Sequence, residues 1–263
     1  MTTTELVQRR DYLVAHRRMI VGRSLAATIA GAVPVPFVDD WLVGAILGSA
    51  YRKIANGNHV DVDDHAIKNL VHGRTSPASW SEIVASGIAF RLATRMWKRV
   101  LLAVTTVRRA RAAARQFVVM TLFEHYCARL HVGFGLDGVA ALQVRDAIAE
   151  AIDTTPGTLS FEPFRRGARA AARASLKAPL ELADVASGGR LRRLLERGRD
   201  VAEPVEMTDL DRAIDEALAD KTSFLGRAAA AVELQLSAEV NPYLDAAITR
   251  FDEIWKRNAD RSR

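Results

Sequence analysis

The chain has 263 residues, 49% of them hydrophobic and 26% charged, with 37 Lys and Arg against 31 Asp and Glu, 16 Gly, 8 Pro and one Cys. There is enough apolar material for a core, which excludes a wholly disordered, collagen-like or linker-dominated chain, and one Cys excludes a disulfide framework or a zinc cluster of thiolates. Charge is unevenly divided: residues 1–131 carry 18 basic and 9 acidic side chains, residues 132–263 carry 19 and 22, and no acidic residue falls between Glu82 and Glu124. A basic half beside a mildly acidic one points to a polyanion, either anionic lipid or nucleic acid, as partner of the first half.

In chain order nearly everything reads as helix. Residues 5–23 are helix-compatible but poorly sorted, since Arg10 and Arg17 fall on the side of Leu6 and Leu13. Two apolar runs follow, residues 24–38 and 41–50, separated by Asp39 and Asp40. Asn56-Gly57-Asn58 signals a loop, and a helix is expected from about Asp61 or Asp63 to Val71. Ser76-Pro77 opens a long helical stretch, with Pro at an early position where its missing N–H costs nothing. Over residues 79–107 the sorting is best: Arg91, Arg95, Lys98 and Arg99 share one side, and Phe90, Met96, Trp97, Val100, Leu101 and Val104 the other. Arg108, Arg111 and Arg115 drift off that stripe, so a kink is expected near 105–110 and a further helix to about Leu130, ended by Gly133 and Gly135. Helical signals then cover 138–152, 161–177, 189–199 and 208–218, the last with a capping signal at Thr208 and Asp211. Leu225, Ala229, Val232, Leu236 and Val240 repeat at helical steps, and Asn241-Pro242 starts a final helix through Leu244, Ile248, Phe251 and Trp255. No period-two strand and no internal repeat stands out. The fold class is all-α, a multi-helix bundle with an N-terminal hydrophobic helical hairpin. It divides into a basic region, 1–135, and a mixed-charge region, 136–263.

The hairpin is the most specific feature. Its two arms meet at Pro34-x-Pro36, and Arg17, Arg18 and Arg23 precede it while Arg52 and Lys53 follow. The longer arm spans about 22 Å as a helix, short of a hydrocarbon core of roughly 30 Å. A re-entrant or shallow insertion therefore fits better than two spans, with the basic flanks held on the cytoplasmic side and Pro34, Pro36, Phe37 and Trp41 at the lipid. Asp39 and Asp40 argue against a deep tip. Burial of both arms in a soluble core is the competing expectation, and a targeting signal a third. The sequence from Ala32 to Ala55, with its small-residue arm, Pro-x-Pro, acidic pair and second apolar arm ending in Tyr51, Arg52 and Lys53, resembles the hydrophobic segment of an uncharacterised membrane-associated domain often attached to small GTPase-like domains. The resemblance implies a helical fold, membrane association and a GTPase as a separate partner, because no G-x-x-x-x-G-K-[ST] phosphate loop occurs in this chain.

Three other constellations carry possible chemistry. His59, Asp61, Asp63, Asp64, His65, Asn69 and His72 are metal-ligating types, but the aspartates also suit a helix N-terminus, and no stoichiometric metal is expected. Gly133-x-Gly135-x-x-Gly138 fits the dinucleotide fingerprint as a string, yet residues 116–131 read as helix where a strand is required. Cys127 and His131, four apart, would make a thiolate–imidazole pair on a regular helix, but a lone Cys in an apolar helix is a packing residue first. Arg9-Arg10 heads no uninterrupted apolar stretch of the twin-arginine export kind.

The sequence thus reads as a non-enzymatic membrane-associated helical module without cofactor, on the cytoplasmic face of an inner membrane or in the cytoplasm. Arg91, Arg95, Lys98 and Arg99 would meet the anionic membrane surface, and the second half a protein partner. A soluble nucleic-acid-binding or regulatory module is the alternative, with nucleic acid the less favoured partner, and a metal-dependent enzyme at 59–72 comes third.

Overall fold

The computed structural model describes residues 11–30, 38–74, 107–174, 207–238 and 241–261. Pro34, Pro36, Phe37, the basic stripe at Arg91, Arg95, Lys98 and Arg99, and the segment 189–199 lie outside the described residues. Those described are overwhelmingly helical: α1 (Asp11–Val14), α2 (Arg17–Ala30), α3 (Val38–Gly57), α4 (Asp64–His72), α5 (Val107–His125), a π-helical turn (Tyr126–Leu130), α6 (Gly138–Thr154), α7 (Glu162–Ala174), α8 (Met207–Ala219), α9 (Phe224–Ala238) and α10 (Pro242–Arg261). Two short strands, β1 (Asp61–Val62) and β2 (Gly135–Leu136), pair in parallel with Asp61 opposite Gly135. The protein is all-α.

Local chemistry explains the helix ends. Asp63 caps α4 by accepting from the Ala66 N–H at 2.6 Å, and Asp137 caps α6 through the Ala140 N–H at 2.8 Å. Asn241 accepts from the Leu244 N–H at 3.2 Å and starts α10. The capping signal at Thr208 is displaced: α8 already includes Met207, so Thr208 lies within its first turn.

The described parts of both arms, residues 24–30 and 42–50, are core. Leu25, Ile29 and Ala30 on α2 and Leu42, Ile46, Leu47 and Ala50 on α3 are buried, and α2 packs on α3, α5 and α9 together. Helix α5 is enclosed on almost every side from Met120 to Cys127, as expected of a central helix. Around it α4 packs on α6, α10 on α6, and α7 on α9, so both halves of the sequence feed one apolar cluster. Among the described residues no helix is long and apolar enough to cross a membrane.

The hairpin's basic flanks do not all face outward. Arg23 is 0% exposed, and its guanidinium donates to Asp215 at 2.8 Å and to Ser49, and lies 2.5 Å from Asp211. Lys53 pairs with the same two carboxylates, and Arg18 donates to the Leu218 carbonyl at 3.0 Å. Arg52 turns to Asp64 at 2.5 Å. Helix α8, from the acidic half, thus lies across the basic ends of the hairpin. The physical reason is pairing: a guanidinium taken out of water needs carboxylates, and Asp211 and Asp215 sit one turn apart on one helix face.

Candidate functional site

A group of polar side chains gathers where α5 ends. Glu124 is buried, with Oε1 2.7 Å from His16 Nδ1 and Oε2 without a partner among the described residues. Burial pushes its carboxyl pKa up, and the His16 contact and Arg17 offset only part of that. The next residue, His125, lies 2.5 Å from the Tyr12 hydroxyl through Nδ1 and 2.8 Å from Asp252 through Nε2. The tautomer protonated on Nε2 satisfies both, donating to the carboxylate while accepting the phenol O–H. Tyr12, His125 and Asp252 so tie α1, α5 and α10 in one line, and the Arg129 guanidinium sits 4.7 Å from the centroid of the Tyr12 ring.

The helix then widens into the π-helical turn, closed by the His131 N–H donating to the Tyr126 carbonyl at 2.9 Å. Five-residue bonding brings residue 131 over residue 126 rather than 127. His131 Nδ1 therefore meets the Tyr126 hydroxyl at 3.0 Å, and Trp255 closes on Tyr126 edge-to-face at 5.0 Å. The thiolate–imidazole pair is not what forms. Burial holds the Cys127 thiol well above the ordinary range, with buried Glu124 adding to the effect, so the sulfur is a packing group.

Directly after the turn the chain leaves the bundle as Val132-Gly133-Phe134-Gly135. Val132 is 93% and Phe134 92% exposed, and Val139 beside them is also exposed. Gly133 takes a φ of +110°. Backbone pairing holds this finger: the Asp61 N–H donates to the Phe134 carbonyl at 2.8 Å, and β1 pairs with β2 at its base. Asp61, Asp63, Asp64 and Asp137 all lie within two residues of the paired strands and are all exposed. Of these, Asp64 pairs with Arg52, and Asp63 and Asp137 cap α4 and α6. Isolated exposed apolar residues are ordinary; here the two most exposed large apolar side chains among the described residues share one pinned loop.

Trp41 lies in the first turn of α3, and its side chain is outside the described residues. At 59–72, Asp63 is spent on capping, and Asn69 donates to the Gly138 carbonyl at 2.8 Å. No group of three His, Cys, Asp or Glu among the described residues converges on a metal position. The glycine fingerprint fails because the chain arrives by helix and π turn, and the N-terminus of α6 is occupied by the carboxylate of Asp137. Sequence reasoning missed the His16–Glu124 and Tyr12–His125–Asp252 contacts, which join residues more than a hundred positions apart. It also missed the finger, whose glycines were legible only as a helix stop. Protein-family models, curated proteins and solved structures were all compared with the chain, and none matches it.

Proposed function

We propose that the protein is a non-enzymatic helical interaction module that docks a protein partner through the Val132–Phe134 finger. The observation that carries this reading is the pinned, almost wholly exposed apolar tip, with the exposed Asp61, Asp63 and Asp137 within two residues of the strands at its base. A partner that fits it presents an apolar socket rimmed by Lys or Arg, the charge arrangement that favours encounter and suppresses wrong partners. An anionic bilayer suits this tip poorly, because Asp61, Asp63 and Asp137 would bring exposed carboxylates toward negative headgroups. A GTPase is one partner of the right kind, on the resemblance of residues 32–55 to the GTPase-associated membrane domain. In the same reading lipid contact falls to Pro34, Pro36, Phe37 and Trp41 and to the cations at 91–99, at the cytoplasmic face of the inner membrane. Burial of the arms limits that contact to the turn, since extracting Leu25, Ile29, Leu42 and Ile46 would dismantle the core.

The two contacts separate experimentally. Val132→Ser with Phe134→Ser should abolish co-purification of a stoichiometric protein partner while sparing co-sedimentation with anionic liposomes. Gln at Arg91, Arg95, Lys98 and Arg99 should do the reverse. A finger variant that keeps its full complement of partners contradicts the docking reading, and loss of DNA binding alone in the Gln variant favours the nucleic-acid module.

A further inference from the structure

A second feature, remote from the finger, is a cleft of about 510 Å³ between α5, the end of α6 with the loop that follows it, and the start of α10. Its floor is apolar: Ala114, Val118, Ile152 and Leu159 are buried side chains. Its mouth is cationic and aromatic. Arg111 and Arg115 stand one turn apart on α5, both exposed, and the Arg111 guanidinium lies 5.1 Å from the centroid of the Phe161 ring. Tyr243 lines the cleft and donates to the Ile152 carbonyl at 3.4 Å. The volume falls in the roughly 300–1,000 Å³ range of small-molecule sites.

We propose that this cleft binds an amphiphilic anion, with an acyl chain on the floor and a carboxylate or phosphate head between Arg111 and Arg115. Each part of the ligand has its counterpart. The chain covers the apolar floor. The head takes the guanidinium pair, one member of which is already oriented by stacking on Phe161. Arg115 meets Asp153 at 3.2 Å, with both side chains more than half exposed. Such an exposed pair contributes little, so an incoming head displaces Asp153 at small cost. Asp153 also sets selectivity: it repels an anion that does not engage both arginines. A neutral amphiphile has nothing for the guanidinium groups, and inorganic phosphate nothing for the floor.

The test is isothermal titration of the full chain with decyl phosphate, decanoate, decyl maltoside and inorganic phosphate. Saturable one-to-one binding is expected for the two anionic amphiphiles only. Arg111→Gln with Arg115→Gln should weaken it roughly tenfold or more, the loss of at least one charge-assisted hydrogen bond. Thr158→Trp, at an exposed position on the mouth, should block it without touching the core. A parallel titration with phosphatidylcholine vesicles carrying phosphatidic acid identifies the source. Vesicle binding lost in Thr158→Trp assigns a membrane lipid as ligand, and vesicle binding indifferent to it leaves a free amphiphile. Equal affinity for decyl maltoside, equal affinity for inorganic phosphate, or unchanged binding in both variants overturns the proposal. Because the cleft shares no residue with the finger, finger variants should bind decyl phosphate as the unmodified chain does, whatever becomes of the docking reading.

Discussion

Arg23 and Glu124 are both ionisable and both almost wholly buried, and they differ in how completely they are paired. Arg23 meets Asp211, Asp215 and Ser49, and only its Nε lacks an acceptor among the described residues. Removing it leaves two carboxylates facing Lys53 alone. Arg23→Ala is therefore expected to lower unfolding free energy by about 3 kcal/mol, the low end for a buried pair because both carboxylates are partly exposed. Urea denaturation measures it, and the loss should shrink when Asp211 and Asp215 are already Asn. Glu124 has one close partner and titrates in the opposite sense to Asp211. Its folded pKa lies above the ordinary 4.5, so the stability its protonated form contributes is complete below 4.5 and lost as pH rises through the folded value. For Asp211, burial raises the pKa, but Arg23, Ser49 and Lys53 together outweigh it and leave the value below 3.8. Its contribution is complete above 3.8 and lost as pH falls through the folded value. Urea midpoints across acidic and neutral pH should then show that Glu124→Gln flattens the decline above 4.5 and Asp211→Asn the decline below 3.8. Identical profiles in the unmodified chain and Glu124→Gln would show that burial does not perturb this carboxyl.

At the scale of elements, the corner between α8 and α9 is closely folded. Ser223 accepts from the Gly226 N–H at 2.8 Å and donates to the Ala217 carbonyl, while Asp220 accepts from the Thr222 N–H at 2.7 Å. A Cβ on Gly226 would collide with the carbonyl oxygens of Asp220 and Ala217, which are backbone and cannot yield. A Cβ on Gly22 meets the Cδ and Cγ atoms of Leu218, a buried side chain that has to repack but is not backbone. Gly226→Ala should therefore cost about 2 kcal/mol, and Gly22→Ala under about 1 kcal/mol once its helix-propensity gain is counted, both read from thermal or urea unfolding. Helix starts were legible in the sequence wherever a short polar side chain bonds its own neighbours: Asp63, Asp137 and Asn241 act within three residues of themselves. What local pattern does not carry is direction. Arg23 was visible as a flanking cation, but α2 is buried continuously from Ile20 to Ala27, and a helix covered on all sides has no periodicity to show which way a charge points. The π-helical turn was hidden for a similar reason: no residue type at 126–130 marks it, and the bond that closes it, His131 N–H to the Tyr126 carbonyl, is visible only in the fold.

Across the whole molecule the acidic half meets the basic half from inside. Asp211 and Asp215 on α8 take Arg23 and Lys53, so part of the sequence's charge asymmetry is consumed in assembling the bundle. Among the described residues, charge that stays exposed includes Asp61 and Asp137 near the finger and Arg111 and Arg115 at the mouth of the cleft. The finger was the least legible part of the candidate site. Two glycines and a phenylalanine at 133–135 also describe an ordinary helix end, and exposure above nine-tenths emerges only once β1 has paired with β2. The docking surface is tested most directly by site-specific photo-crosslinking in cells with benzoylphenylalanine at Phe134, and at Leu234, another exposed apolar position, as control. The account predicts one discrete protein adduct from position 134, absent from position 234 and lost when Asp61 and Asp137 are changed to Asn and Lys. Lipid adducts alone from position 134, or the same adducts from both positions, would contradict it.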